Sequence, residues 1–149
     1  MRDEIGHVMN YLEIQRVRFE PRVRIEAEEL PEEIADEPVP SLIIQPIVEN
    51  AFQHGVRDMD SGGVVRLRYQ VTETEFRVIV SDNSGRMTPE RVEELWQKLL
   101  RQEEQDVSAL RNLYRRLQIY EEGAQALTLE CEDGGLKASV RFRRRGNAV

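Results

Sequence analysis

Apolar residues recur at helical spacing near the start of the chain, at Ile5, Val8, Met9, Leu12 and Phe19. This predicts an amphipathic helix over 3–19, with Glu13, Gln15, Arg16 and Arg18 facing out and His7 on its surface. Pro21 ends it. Val23, Ile25 and Ala27 then alternate with Arg22, Arg24 and Glu26, the pattern of a half-buried strand. The stretch from Glu28 to Pro40 is acidic, and Pro31, Pro38 and Pro40 keep it free of regular structure. Leu42, Ile43, Ile44, Ile47 and Val48 predict a helix buried in the core, with Ser41 as its N-cap.

The second half reads in the same way. Val65, Leu67, Tyr69 and Val71 alternate with polar residues, Thr72 to Glu75 make a short connection, and Phe76, Val78 and Val80 lead a further strand into Asp82. Thr88 caps a helix that begins at Pro89 and runs to about Arg101, with Val92, Leu95, Trp96 and Leu99 inward. Val107, Leu110, Leu113, Tyr114 and Leu117 form the stripe of another helix, closed by Gly123. Leu127, Leu129 and Cys131 form a fourth strand and Ala138, Val140 and Phe142 a fifth, across the Asp133-Gly134-Gly135 turn. Strand pairs joined by short turns imply an α+β domain, an α/β sandwich of a mixed, largely antiparallel five-stranded sheet with helices packed on one face.

One helix breaks the rule that cores are apolar. Gln45-Pro46-Ile47-Val48-Glu49-Asn50-Ala51-Phe52-Gln53-His54-Gly55 places a carboxylate, an amide and an imidazole at the end of a buried run. Burying such groups unpaired costs roughly 2–7 kcal/mol. On a 3.6-residue repeat Asn50 and His54 share a face, with Glu49 about 100° around. The set suits a magnesium ion and phosphates, or activation of an attacking group. A solvated helix end with Gly55 as the C′ residue is the plain alternative. Asp82-Asn83 lies where a strand meets a Gly-containing loop, a position that exposes ligand-binding groups; an Asx turn is the plain alternative there.

Composition narrows the options. The 149 residues are 40% hydrophobic and 33% charged, enough for one domain with a core. A net charge of −7 gives no electrostatic case for nucleic acid. Arg outnumbers Lys nineteen to two, and the Arg141, Arg143, Arg144, Arg145 cluster reads as the solvated face and end of a strand. Cys131 is alone, which excludes an intrachain disulfide and favours a reducing compartment. No run approaches the length of a membrane span, so direct membrane contact is not expected. The chain starts inside a helix and is expected to be part of something longer.

The combination resembles a known family. Glu13 to Phe19, Pro40-Ser41-Leu42 through Gly55, Asp82-Asn83-x-Gly-x-Met87, and Leu110-Arg111-Asn112 with Arg116-Leu117 are similar to the catalytic ATP-binding domain of sensor histidine kinases. The LytS/YesM-like branch of the GHKL ATPases is the nearest in pattern. The resemblance implies the Bergerat fold, residues 1–20 as a linker helix from a dimerisation and phosphoacceptor region, and 21–149 as the ATPase domain. It implies ATP and Mg²⁺ as cofactors, Asn50 as the Mg²⁺ ligand, and Glu49 and His54 as catalytic residues. Asp82 would accept adenine, with Asn83, Gly85, Met87, Leu110 and Asn112 in the ATP site. It implies a phosphoacceptor histidine domain and a response regulator as partners, a homodimer through a helix outside this chain or through the N-terminal helix, and a cytoplasmic domain of an inner-membrane protein.

The chain also departs from the family pattern. Asp82-Asn83-Ser84-Gly85-Arg86-Met87 replaces Asp-Asn-Gly-x-Gly-Met, and Val107-Ser108-Ala109-Leu110 replaces Gly-x-Gly-Leu. Lys137-Ala138 stands where a Gly-Thr pair is usual. Glycines in such loops permit positive φ and close approach of backbone N–H groups to phosphates. Arg86 and Arg111 are either phosphate contacts that compensate or solvated. No Pro-His-Phe phosphoacceptor motif occurs. Two readings follow: a kinase catalytic domain that phosphorylates a histidine elsewhere, or a degenerate domain kept for interaction or nucleotide sensing.

Overall fold

The computed structural model describes residues 1–101, 108–121 and 125–145. Helix α1 spans Arg2–Phe19 and buries Ile5, Val8, Leu12 and Phe19, the predicted stripe. Gln15 was expected on the polar face but is buried, while Ile14 and Val17 are exposed. The buried stripe is therefore rotated toward Gln15. Strand β1 follows at Val23–Ala27. The 28–40 connector holds a single 3₁₀ turn, Glu32–Ile34, with Ile34 in the core.

Helix α2 begins later than Ser41 predicts. It spans Gln45–Asn50, and Ser41 makes no cap. Leu42 adopts a left-handed φ of 56°, which breaks any helix there. The cause lies far away in sequence: Arg116 donates to the carbonyls of Ser41 and Leu42 and holds the bend. Glu4 Oε2 accepts from Ile43 N at 2.7 Å, pinning the same segment to α1. Pro46 fits the first turn, where its missing N–H is not needed.

α2 does not continue as an α-helix. Ala51–Val56 forms a π-helix, a widened turn of the kind that recurs at functional sites. The uniform 3.6-residue repeat and the C′ role for Gly55 are corrected here, since Gly55 lies inside the widened turn. Phe52 anchors the turn in the core, in ring contact with Phe19 and Tyr11. Its burial contributes about 1.5–3 kcal/mol.

Strands β2, Gly63–Val71, and β3, Glu75–Asp82, form the predicted hairpin. Thr72 Oγ1 closes it by accepting from Glu75 N. Helix α3 spans Pro89–Arg101, and Thr88 Oγ1 accepts from Arg91 N as the expected cap. Helix α4 is described over Ser108–Tyr120, whereas Val107 and Gly123 lie outside the described residues. Strands β4, Leu127–Glu132, and β5, Gly135–Arg143, complete the sheet.

The sheet order is β1-β2-β3-β5-β4. β1 pairs parallel with β2 and every other pair is antiparallel, giving the mixed, largely antiparallel sheet expected. The core lies between the sheet and the helices, filled by Val65, Leu67, Val78, Val80, Val140 and Phe142 with Ile43, Ile44, Leu113 and Leu117. The opposite face carries ion pairs such as Arg66–Glu26, Arg68–Glu132 and Arg141–Glu75. Their aliphatic stems cover the sheet while the charges stay near water.

The arginine cluster at the end of β5 is not simply solvated. The Arg144 side chain is 12% exposed and bridges Glu37 and Glu33. Arg143 and Arg145 both reach Glu121, whose side chain is fully buried. Arg145 also stacks on Tyr120, 4.3 Å from the ring centre. This clasp fastens the 32–40 connector to the sheet end.

Candidate functional site

Asp82 ends β3 on the face that carries the helices, opposite Val65 of β2. It is 6% exposed. Oδ1 accepts from Ser84 N at 2.9 Å. Burial pushes the carboxyl above the usual Asp range, opposed by hydrogen bonds from Ser84 and the Leu136 backbone and by the charge of Arg86. Among the described residues no counter-ion contacts it; a buried carboxylate so placed is costly, and such groups cluster at functional sites.

Two glycines make room for it. A Cβ on Gly55 would stand 2.8 Å from Asp82 Oδ2. A Cβ on Gly135 would stand 1.9 Å from the Asp82 carbonyl oxygen and 2.5 Å from Oδ1. Gly135 belongs to the site and was read from the sequence only as part of a turn. The signal was present as a second glycine at the start of a strand, where close backbone approach is one cause.

The loop after Asp82 is ordered by its own contacts. Asn83 Oδ1 accepts from Val64 N at 2.7 Å, and its Nδ2 donates to Gly62 O at 2.8 Å. Its amide is thus committed to the start of β2. Gly85 takes φ 76°, so the displaced glycine supplies a left-handed turn. Met87 N donates to Gly134 O at 2.9 Å, which ties this loop to the β4–β5 turn. Cys131 Sγ approaches Met87 O at 3.6 Å.

Glu49 and Asn50 lie upstream on the helix whose π-turn touches Asp82. Both are half-buried. Glu49 Oε1 accepts from Gln45 Nε2 at 3.0 Å. Among the described residues Asn50 makes no side-chain hydrogen bond, so its carbonyl oxygen is free to coordinate. No group of three or more His, Cys, Asp or Glu that could hold a metal occurs among the described residues. A lone amide oxygen fits Mg²⁺ only where phosphate oxygens and water complete the shell, which is its usual habit.

The remaining expected residues are less tightly gathered. His54 is exposed and lines a cleft against α1, with Tyr11, Gln15 and Arg18. Leu110 is buried in the core and Asn112 is exposed, both on α4, which packs against α2. Arg86 pairs with Asp58 at 2.9 Å. Arg111 is buried and donates to Lys98 O at 3.1 Å, at the end of α3. Neither is simply solvated.

The mixed sheet with its helices has the α/β sandwich fold of histidine-kinase catalytic domains. The catalytic domain of histidine kinase ThkA superposes with a TM-score of 0.65 over 95% of this chain and 90% of that one, at 14% identity. The mycobacterial sensor histidine kinase MprB gives 0.58 over 95% of each, at 13% identity.

Sequence similarity leads to the same group. Sensor histidine kinase BtsS of Escherichia coli K12 is 33% identical over 87 residues, which is 58% of this chain and 15% of BtsS. Sensor protein kinase HptS of Staphylococcus aureus is 28% identical over 99 residues, 66% of this chain and 18% of HptS. The chain therefore spans less than a fifth of these curated relatives. No protein-family model matches it. The chain is similar in sequence to sensor histidine kinases over part of its length and has the fold of histidine-kinase catalytic domains.

Proposed function

We propose that this chain is the ATP-binding catalytic domain of a two-component sensor histidine kinase. The observation that carries the proposal is the buried Asp82 carboxylate, wedged against Gly55 at the end of the helix bearing Glu49 and Asn50. In this reading ionised Asp82 accepts the exocyclic amine of adenine, and Met87 and Leu110 supply apolar contact to the base. Asn83 shapes the loop, Gly85 turns it, and Asn112 approaches the nucleotide from α4.

Asn50 offers its amide oxygen to Mg²⁺, and bound Mg²⁺ neutralises charge on the phosphates. Glu49 polarises or deprotonates the attacking imidazole, and His54 sits near the phosphates. The bond from the γ-phosphorus to the bridging oxygen breaks, a bond to an imidazole nitrogen forms, and ADP leaves. The acceptor histidine lies outside residues 1–149, in the region that α1 leads from. The next acceptor is an aspartate on a response regulator. A structure of ThkA in complex with response regulator TrrA, matched at a TM-score of 0.64, supports a partner of that class. A homodimer, through a helix outside this chain or through the N-terminal helix, and a cytoplasmic position in an inner-membrane parent complete the reading. No helix among the described residues is long and apolar enough to cross a membrane.

A degenerate, non-catalytic domain for interaction or nucleotide sensing is the second reading. Val107-Ser108-Ala109 and Lys137-Ala138, in place of glycine motifs, favour it. Nucleotide-dependent melting, with and without Mg²⁺, separates the readings: no shift marks an interaction module, and a shift that needs Asp82 but not Mg²⁺ marks a nucleotide sensor without transfer. The kinase reading expects Mg-ATP to raise the melting temperature of wild type and not of Asp82→Ala. An equal shift in both would contradict it.

A further inference from the structure

The helix that carries Glu49 and Asn50 has little of its own to hold it. Helix α2 has six residues and no side-chain cap, and a helix so short is marginal without tertiary support. Its first amides, Ile47 N and Val48 N, both donate to Ile44 O. The chain reaches Ile44 through a bend at Leu42, whose φ of 56° lies in the left-handed region. A leucine there is strained, and such a conformation persists only where its surroundings over-determine it. Packing of the Leu42 side chain does not supply the reason, since it is 55% exposed.

The bend is held by two side chains from other helices. Arg116 of α4 donates through Nη1 to Leu42 O at 2.8 Å and through Nη2 to Ser41 O. Glu4 of α1 accepts from Ile43 N at 2.7 Å. Unlike the arginines of the sheet, Arg116 reaches no carboxylate among the described residues; its guanidinium spans two adjacent carbonyls. The planar fork suits that task, and a lysine ammonium presents no such fixed pair of donors. On α4, Asn112 lies four residues before Arg116, so the two share a face, and both are exposed. Helices α2 and α4 pack against each other. One face of α4 thus carries both the amide read as approaching the nucleotide and the clamp on the segment entering α2.

We propose that Arg116 is a positioning residue. By clamping the strained bend at Leu42 it fixes where α2 starts, and so where Asn50 stands relative to Asn112. Without the clamp the bend relaxes toward an ordinary φ, the first turn of α2 loosens, and the Asn50 oxygen loses its place. The consequence for Mg²⁺ rests on the ATP reading of the site; the clamp on α2 does not.

Arg116→Ala, Arg116→Lys and the double variant Arg116→Ala/Leu42→Gly are compared with wild type in the full chain by two measurements. In nucleotide-free protein, amide exchange at Ile47 and Val48 should quicken about tenfold in Arg116→Ala and less in Arg116→Lys, while Val78 in β3 exchanges as in wild type. Glycine takes a left-handed φ at no steric cost, so the double variant should return toward wild-type exchange. In calorimetry, Arg116→Ala should lose about tenfold of the strengthening that Mg²⁺ gives ATP binding, with adenosine affinity unchanged. The double variant should recover it. A residue needed only for folding would weaken adenosine and ATP alike and would not be rescued by glycine. Unchanged exchange at Ile47 and Val48, a Mg²⁺ effect that survives Arg116→Ala, or a double variant no better than the single one overturns the proposal. Wild type that binds no nucleotide sinks the ATP reading and the Mg²⁺ consequence with it, and the exchange rates then decide the clamp alone.

Discussion

The Asp82 carboxylate and Gly55 occupy one space: a Cβ on Gly55 would lie 2.8 Å from Asp82 Oδ2 and 2.9 Å from its Cγ. The end of the polar helix and the end of β3 are thereby fixed to each other through a missing side chain. Gly55→Ala should push the carboxylate aside and weaken nucleotide binding at least tenfold, with a stability loss of about 1–3 kcal/mol. Titration of ATP alongside thermal melting checks both halves. Unchanged affinity would remove the link between this contact and the site.

Gly135 presents the harsher case. The added Cβ would meet backbone, 1.9 Å from the Asp82 carbonyl oxygen. Strands β3 and β5 must then separate locally, so Gly135→Ala should cost more than Gly55→Ala in a denaturant titration. The reverse order would show that β5 yields more easily than the helix.

Asp82 also sets a pH dependence. Its folded pKa is raised by burial, so the protonated form is favoured in the fold. The associated stability is fully present below the ordinary Asp pKa and is lost as pH rises through the raised value. Binding runs oppositely, because only the ionised carboxylate is a full acceptor for adenine. ATP affinity should fall as pH is lowered through the raised value. Asp82→Asn should melt at or above wild type at pH 7 and bind no ATP. Melting curves and titrations at pH 5 and pH 7.5 test this, and a variant that is both less stable and still binding contradicts it.

Asn83 separates structure from ligand contact. Its amide accepts from Val64 N of β2 at 2.7 Å and donates to Gly62 O, just before β2, at 2.8 Å. Asn83→Ala should cost about 1–3 kcal/mol, since two backbone groups lose partners. A drop in adenosine affinity with no change in melting would instead assign Asn83 to the nucleotide.

The clasp at the end of β5 predicts a stability effect away from any site. Glu121 is fully buried between Arg143 and Arg145, which are 49% and 37% exposed. Water screens the arginines, so Glu121→Gln should cost about 1–2 kcal/mol, short of the 3–5 kcal/mol of a fully buried pair. Arg24→Ala, at an exposed ion pair, should stay within about 0.5 kcal/mol. Chemical denaturation of the two variants checks the contrast.

The strands were legible because alternation is local: Val65 to Val71 and Phe76 to Val80 state their faces residue by residue. α1, α3 and the Thr88 cap were legible for the same reason. What failed depended on distant residues. Ser41 reads as a cap, yet Arg116, 75 positions away, binds its carbonyl and bends the chain. Arg144 reads as solvated until Glu33 and Glu37 arrive from the connector. Gln15 reads as outward because Glu13 and Arg16 close by are charged, yet it is buried in the cleft that α1 forms with the π-turn. Of the candidate site, Asp82, Asn50 and Glu49 stood out as polar residues beside apolar runs. Gly135 did not, because its role is visible only once β5 lies beside β3.

Calorimetric titration of ATP with and without Mg²⁺, on wild type, Asn50→Ala and Asp82→Ala, tests the central claim most directly. The account predicts binding to wild type that Mg²⁺ strengthens, loss of that Mg²⁺ effect in Asn50→Ala, and no binding to Asp82→Ala in either condition. No heat from wild type at millimolar Mg-ATP, or equal binding by all three proteins, would contradict it.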